Sequence, residues 1–261
     1  MTIPHHTCDD LYAFWQSVQG SYLYKQEQCA LATLCQGVSA AQGLELSAAP
    51  SFASTLNARH LVRWEAPSKT WPGSFISQGT RLPFADATFD VVMLHHLLET
   101  QPTPHHWLRE AARVTSDTGR LRIVAWHPWG MSAWRRFLPR CRCQLPYGAQ
   151  WITLKRIRDW LTFVDFEIDR VDYCVMSAVP SRHADVLERW GRRFNLPLGL
   201  SMIITARRQQ PALIPRSLRL KQQRFGAFGF QPHWVTSSCP HGEQCERPTD
   251  SSFQQRNEPR E

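Results

Sequence analysis

Leu82-Pro83-Phe84-Ala85-Asp86-Ala87-Thr88-Phe89-Asp90-Val91-Val92-Met93-Leu94-His95-His96-Leu97-Leu98-Glu99 is the stretch whose reading decides the fold. The turn Phe84-Ala85-Asp86-Ala87-Thr88 runs directly into Phe89-Asp90-Val91-Val92-Met93-Leu94. That second segment is a continuous apolar run with β-branched residues, as expected of a strand covered on both faces. It ends in a polar pair, His95-His96, and a helix is expected to follow. A buried strand leading into a helix points to an α/β architecture.

Working outward, Pro104 to Val114 sets Trp107, Leu108, Ala111 and Val114 at helical spacing, with a stop at Ser116-Asp117-Thr118-Gly119. Leu121 to Trp126 reads as the next strand. Thr153 to Phe163 carries Leu154, Ile157, Trp160 and Leu161 on one helical face, and Val164 to Ile168 followed by Val171 to Ser177 reads as a further strand. A helix over Ala184 to Phe194 and a last strand over Leu200 to Ala206 complete that side. Toward the N-terminus, Gly43 to Leu46, Ala58 to Glu65 and Ser74 to Gln78 are short strand candidates bounded by proline, glycine or serine. Asp10 to Cys35 predicts one or two helices through Leu11, Phe14, Trp15, Val18, Leu23, Leu31 and Leu34, with a break at Gly20.

The segment Leu82 to Glu99 closely resembles the "LPFxDxxFDxVxxxHxLEH" stretch of class I S-adenosylmethionine-dependent methyltransferases, in particular the methyltransferase type 11 domain. Val114 to Arg120 is similar to the family's "V-x-x-x-G-G" turn, with one of its two glycines kept at Gly119. Asp159 to Ile168 resembles the family's "WLxxxGFEV" entry into the sixth strand. The resemblance covers roughly Phe14 to Arg208. It implies a doubly wound, mostly parallel seven-stranded Rossmann-like sheet whose last two strands are antiparallel. The expected organisation is a helical lead-in over 1–42, a methyltransferase-like domain over 43–208 and a flexible basic tail over 209–261.

The resemblance also implies a cofactor, S-adenosyl-L-methionine, bound beyond the carboxyl ends of the strands where strand order reverses. The family's first loop, "E/D-x-G-x-G-x-G", stands here as Glu45-Leu46-Ser47-Ala48-Ala49-Pro50-Ser51. Glu45 keeps the acid, which organises the loop and can face the donor's amino group; the alternative is a strand residue on the surface. Ser47, Ala48 and Ala49 replace glycines that would let the backbone approach the donor without a Cβ clash, and Pro50 removes an N–H. Glu65 stands where the family places the acid that accepts from both ribose hydroxyls, its alternative being a solvated loop glutamate. Gln78, beside Gly79, falls at the position of the aspartate that receives the adenine amino group, and His95 and His96 fall at the donor pocket by alignment. For the histidines a positioning role is expected rather than general-base catalysis. Methyl transfer from a sulfonium is an in-line displacement that proximity and alignment accelerate, and no catalytic residue is assigned.

Trp126-His127-Pro128-Trp129-Gly130-Met131-Ser132-Ala133-Trp134-Arg135-Arg136 is similar to an "N-P-x-S-x-x-G-x-R" stretch of a small group of bacterial relatives. Its aromatic residues would cap a flat or apolar acceptor while Arg135 or Arg136 meets an anion. The alternative is a helix packed by its tryptophans.

Composition sets the outer limits. In 261 residues there is room for one domain of about 200 residues with a tail, and 11 tryptophans support a sizeable core. No apolar run approaches the roughly 20 residues a membrane-spanning helix needs. The start of the chain lacks the basic and apolar regions of a secretory signal, so the expected location is the cytoplasm. Eight cysteines without an export signal are expected to be reduced thiols. Cys141-Arg142-Cys143 and Cys239-Pro240-His241-Gly242-Glu243-Gln244-Cys245 lack the four well-spaced ligands of structural zinc, and no metal is expected there. The net charge of +8 is spread over arginines along the chain and suits a solvated surface or attraction to nucleic acid. The tail interleaves aromatics with glycine at Phe225-Gly226-Ala227-Phe228-Gly229-Phe230. The function expected is a methyltransferase acting on an unidentified acceptor. Its alternative is a catalytically silent methyltransferase fold that binds nucleic acid or a protein partner.

Overall fold

The computed structural model describes residues 8–37, 39–52, 55–65, 75–76, 81–131, 133–138, 145–147, 149–177 and 184–209. The apolar run that ends at the histidine pair forms β4 (Phe89–His95), a central strand. Around it lie β1 (Ala40–Ser47), β2 (Ala58–Glu65), β3 (Phe75–Ile76), β5 (Thr115–Trp126), β6 (Phe166–Cys174) and β7 (Ser201–Arg208). The spatial order is β3-β2-β1-β4-β5-β7-β6. Six strands make the continuous body of the sheet, and the two-residue β3 extends one edge.

Pairing is parallel from β3 through β5 and antiparallel for β5–β7 and β7–β6. β1 and β4 are therefore neighbours whose carboxyl ends lie side by side, with Ser47 paired to His95. On one side of β1 the chain proceeds to β2, and on the other the next strand is β4. That reversal of order opens a crevice at the carboxyl edge of an open α/β sheet.

Alternation along the strands divides the core. Leu44, Leu46, Val92, Leu94, Leu121, Ile123, Met202 and Ile204 face one side. They pack under α3 (Pro104–Val114) and α4 (Leu154–Phe163), through Trp107, Leu108, Ala111, Ile157 and Leu161. α4 is capped by Thr153, whose side chain accepts from Arg156 N–H. Val91, Met93, Val124 and Ile203 face the other side with Leu23, Ala30 and Leu31. Those three residues belong to α2 (Val18–Cys35), which follows α1 (Cys8–Gln16). α5 (Ala184–Arg193) packs near β6, where Glu188 accepts the backbone N–H groups of Val175 and Met176.

Parallel neighbours normally need a crossover of a dozen or more residues, most often a helix. The link between β1 and β2, residues 48–57, contains no helix among its described residues. It folds back with Phe52 and Leu56 buried in the same layer as α2. The lead-in helix thus covers the face that a crossover helix would otherwise cover.

Several expectations are refined. The lead-in breaks at Ser17, the N-cap of α2, whose hydroxyl accepts from Gly20 N–H. Gly20 lies inside α2, where a Cβ would collide with the Phe14 carbonyl, so glycine there permits the tight corner between the two helices. The expected stop after α3 is extended chain instead, because β5 begins at Thr115. The first and last strands run longer than expected, over Ala40–Ser47 and Ser201–Arg208. The tail from 210 onward and both cysteine clusters lie outside the described residues.

Candidate functional site

At the carboxyl end of β1, Glu45 points to the α2 face and is completely buried. Its carboxylate accepts Phe52 N–H at 2.8 Å and the Ser51 hydroxyl at 2.6 Å, with Arg63 Nε at 3.8 Å. Burial pushes its pKa up, partly opposed by those hydrogen bonds and by Arg63. The acid expected to organise the first loop therefore does so by clamping the chain immediately after it. The alternative of a surface strand residue is excluded by its burial.

The loop itself is drawn tightly together. Ser47 Oγ donates to the Ala49 carbonyl at 2.9 Å and accepts Ala49 N–H at 3.0 Å. Ala48 N–H donates to the His95 carbonyl at 3.0 Å, tying the loop to the end of β4. Ser47, Ala48 and Ala49 are all buried. Small side chains allow this close apposition even where glycine is lacking.

Consecutive strand residues normally point to opposite faces. His96 breaks that alternation with φ 49, a left-handed conformation that ends β4 and brings the two imidazoles to 4.8 Å between ring centroids. Both rings meet one carboxylate from α2. His95 Nε2 lies 3.2 Å from Glu27 Oε2, and His96 Nε2 lies 3.1 Å from Glu27 Oε1. The Ser201 hydroxyl donates to the same Glu27 Oε1 at 2.5 Å. His96 Nδ1 contacts Glu99 Oε1 at 3.3 Å, and Glu99 Oε1 also accepts Trp126 N–H. His95 Nδ1 contacts Ser47 Oγ at 3.1 Å.

None of this cluster faces water: Glu27 and His95 are 0% exposed and His96 is 1% exposed. Burial alone would raise the Glu27 pKa, but the charge on His96 and hydrogen bonds from both imidazoles outweigh it and hold the carboxyl at about 2. Burial also disfavours charge on His96, yet the two flanking carboxylates overcome it and raise the ring to about 9. His95 goes the other way, to about 4, because burial and the neighbouring His96 charge exceed the help from Glu27. The directions favour charge separation between Glu27 and His96 and leave His95 the less basic of the two rings.

Aromatic rings roof the cluster. Trp126 stacks on His96 at 3.8 Å, and Trp15 from α1 lies 5.5 Å from His96 and stacks on Trp126 at 6.0 Å. Phe52 lies 4.2 Å from His95 on the other flank. The contact of His96 with Trp126 places a cationic ring on an aromatic face, an attractive arrangement in a desolvated site.

The structure thus gathers Glu45, Ser47, Ala48, Ala49, His95 and His96 at one edge of the sheet. Glu65 ends β2 by its backbone, while its side chain, with Gln78 and Gly79, lies outside the described residues. The segment after β5 divides rather than packing as one helix. Trp126 is buried, Trp129 is 73% exposed, and Ala133–Phe137 forms a short 3-10 helix. Glu27 and Ser201 join the cluster without any expectation from the sequence, while Trp15 is expected there only as an apolar residue of the lead-in helix and Glu99 only as the end of the family-like segment. A signal for Glu27 exists, since it sits between Leu23 and Ala30-Leu31 on the buried stripe of α2, where a carboxylate needs a partner.

The profile of a family described as "Methyltransferase domain" matches residues 39–123, from the start of β1 into β5. The protein YafS of Escherichia coli is 41% identical over 87 residues, which are 33% of this chain and 36% of that protein. The chain therefore spans about a third of the length of that relative. Among solved structures, a SAM-dependent methyltransferase of Thermotoga maritima superposes with a TM-score of 0.55 at 16% identity, over 78% of this chain and 100% of that one. The N-methyltransferase NodS of Bradyrhizobium japonicum, in complex with S-adenosyl-L-homocysteine, gives a TM-score of 0.50 at 13% identity, over 77% and 98%. At these identities the structures establish a shared fold.

Proposed function

We propose that this chain is an S-adenosylmethionine-dependent methyltransferase acting on an unidentified acceptor, a reading supported by the match of residues 39–123 to the methyltransferase domain profile and by the fold shared with a SAM-dependent methyltransferase. The observation that carries the reading is the first loop. Glu45 holds Ser51 and Phe52 at the carboxyl end of β1, directly beside the end of β4, where strand order reverses.

The fit to the donor is two-sided. The strand order and the loop acid suit it. The place above the ends of β1 and β4, however, is filled by Trp15, Phe52 and the two histidines, and the loop N–H groups of Ala48 and Ala49 are already paired. Donor entry at that end requires α1 and α2 to withdraw. The donor supplies an electrophilic methyl group on a sulfonium. The chain's part is to bind it, exclude water and align an acceptor, which can supply most of the acceleration in such a displacement.

Calorimetry with S-adenosylmethionine and S-adenosylhomocysteine tests the reading. Both are expected to bind, with faster association in Trp15→Ala, which opens the roof. Absence of binding by either at millimolar concentration, in the parent and in the variant, would remove the donor from the account.

A further inference from the structure

The Glu27, His95 and His96 cluster obeys a second logic, independent of any donor. Both imidazoles turn Nε2 toward the one carboxylate, while each Nδ1 is held from behind, by Ser47 on one ring and Glu99 on the other. Metal-binding histidines show this arrangement. One nitrogen ligates, and the other donates to an oxygen that fixes the ring.

Ser47 Oγ lies within hydrogen-bond distance of both the Ala49 carbonyl, at 2.9 Å, and His95 Nδ1, at 3.1 Å. With the hydroxyl turned to the carbonyl, it accepts from His95 Nδ1, and this is the tautomer that frees Nε2, 3.2 Å from Glu27 Oε2, to ligate an ion in place of its hydrogen bond. The two imidazoles lie 4.8 Å apart between centroids, and their Nε2 atoms meet the same carboxylate. A further buried acceptor, Glu99 Oε2, has no hydrogen-bond partner among the described residues.

Distances agree with a small ion. One ligand atom from each of the three residues lies within 4.8 Å of the others. Ligand bonds of about 2.0–2.2 Å place tetrahedral neighbours roughly 3.4 Å apart. The observed nitrogen-to-oxygen separations of 3.2 and 3.1 Å, one to each oxygen of the carboxylate, are close to that value.

We propose that Glu27, His95 and His96 form a structural site for a divalent transition cation of the zinc class, with the Ser201 hydroxyl beside it. Two imidazoles and a carboxylate suit zinc and its neighbours better than the all-oxygen shells of magnesium or calcium. Three protein ligands leave a fourth tetrahedral position to a hydroxyl or a trapped water, and burial of all three keeps bulk water and substrate away from it, so the role is structural. The ion would fasten α2 to the end of β4.

Full-length protein, freed of metal by chelation and dialysed against micromolar Zn²⁺, is expected to retain roughly one equivalent by elemental analysis and to melt at a higher temperature than the chelated form. With Co²⁺ as probe, visible d–d bands should appear without the intense near-ultraviolet charge-transfer band of a thiolate site. That distinguishes this cluster from the cysteine pairs at 141/143 and 239/245. Glu27→Gln and His95→Asn are expected to lose the retained equivalent. Wild-type protein that holds no ion and melts identically with and without Zn²⁺ would overturn the site. So would a thiolate band, or undiminished stoichiometry in both variants. Ion content is measured without donor, so this result stands apart from the donor titration.

Discussion

Under α3 and α4 the sheet presents Leu44, Leu46, Val92, Leu94, Leu121, Ile123 and Ile204, an apolar layer met by apolar helices. Under α2 the same strands present Glu45, Ser47, His95, Arg122 and Ser201 among Val91, Met93 and Val124, and α2 answers with Glu27. One face is held by burial of area, which is non-directional and tolerates exchange of similar volumes. The other adds to its own apolar packing a few directional contacts, whose loss leaves a buried polar partner behind. The two faces share one sheet, so a difference in their response to mutation reports on side-chain chemistry rather than on fold.

Glu27→Ala should give the largest effect. It leaves the buried His96 ring facing only Glu99, and breaking a buried pair in this way costs about 3–5 kcal/mol. Urea unfolding measures it, and a loss below about 1 kcal/mol, the scale of an exposed pair, would show that the cluster is not a working ion pair. Leu94→Ala, on the apolar face, should cost about 3 kcal/mol through lost transfer energy and the cavity left behind. Unlike Glu27→Ala, its effect should not change when Zn²⁺ is added or removed, and a metal-dependent loss at Leu94 would erase the distinction between the faces. Asp86→Ala sets the baseline. Its pair with Arg113 is 2.6 Å long, but Asp86 is 75% exposed. The expected cost is below about 1 kcal/mol and should vanish at high salt, as read from thermal melts at two ionic strengths.

The apolar face was largely legible in the sequence because its signal is periodic. β2 and α3 fall on the expected residues, and α4 differs only by its cap, Thr153. The polar face was legible in half. Glu45, Ser47, His95 and His96 announce themselves through local motif and spacing. Their partners do not, since Glu27 contacts His95 across 68 positions and Ser201 reaches Glu27 across 174. No periodicity reports such separations. The corner at Ser17 was displaced to Gly20 because glycine usually marks a break, whereas here it marks a close approach of one helix to another.

The link between β1 and β2, without a helix among its described residues, has a consequence for how the molecule is made. During synthesis α2 leaves the ribosome before the strands do, yet the surface it must cover does not exist until β1, β2 and β4 have paired. Its hydrogen-bond partner on β7 arrives later still, at Ser201. Contacts of such separation carry the highest loop-closure cost and form late. A helix made before the sheet is thus among the last elements to dock, and until then its stripe of Leu23, Glu27, Ala30 and Leu31 is open to whatever it meets, a natural handhold for a chaperone.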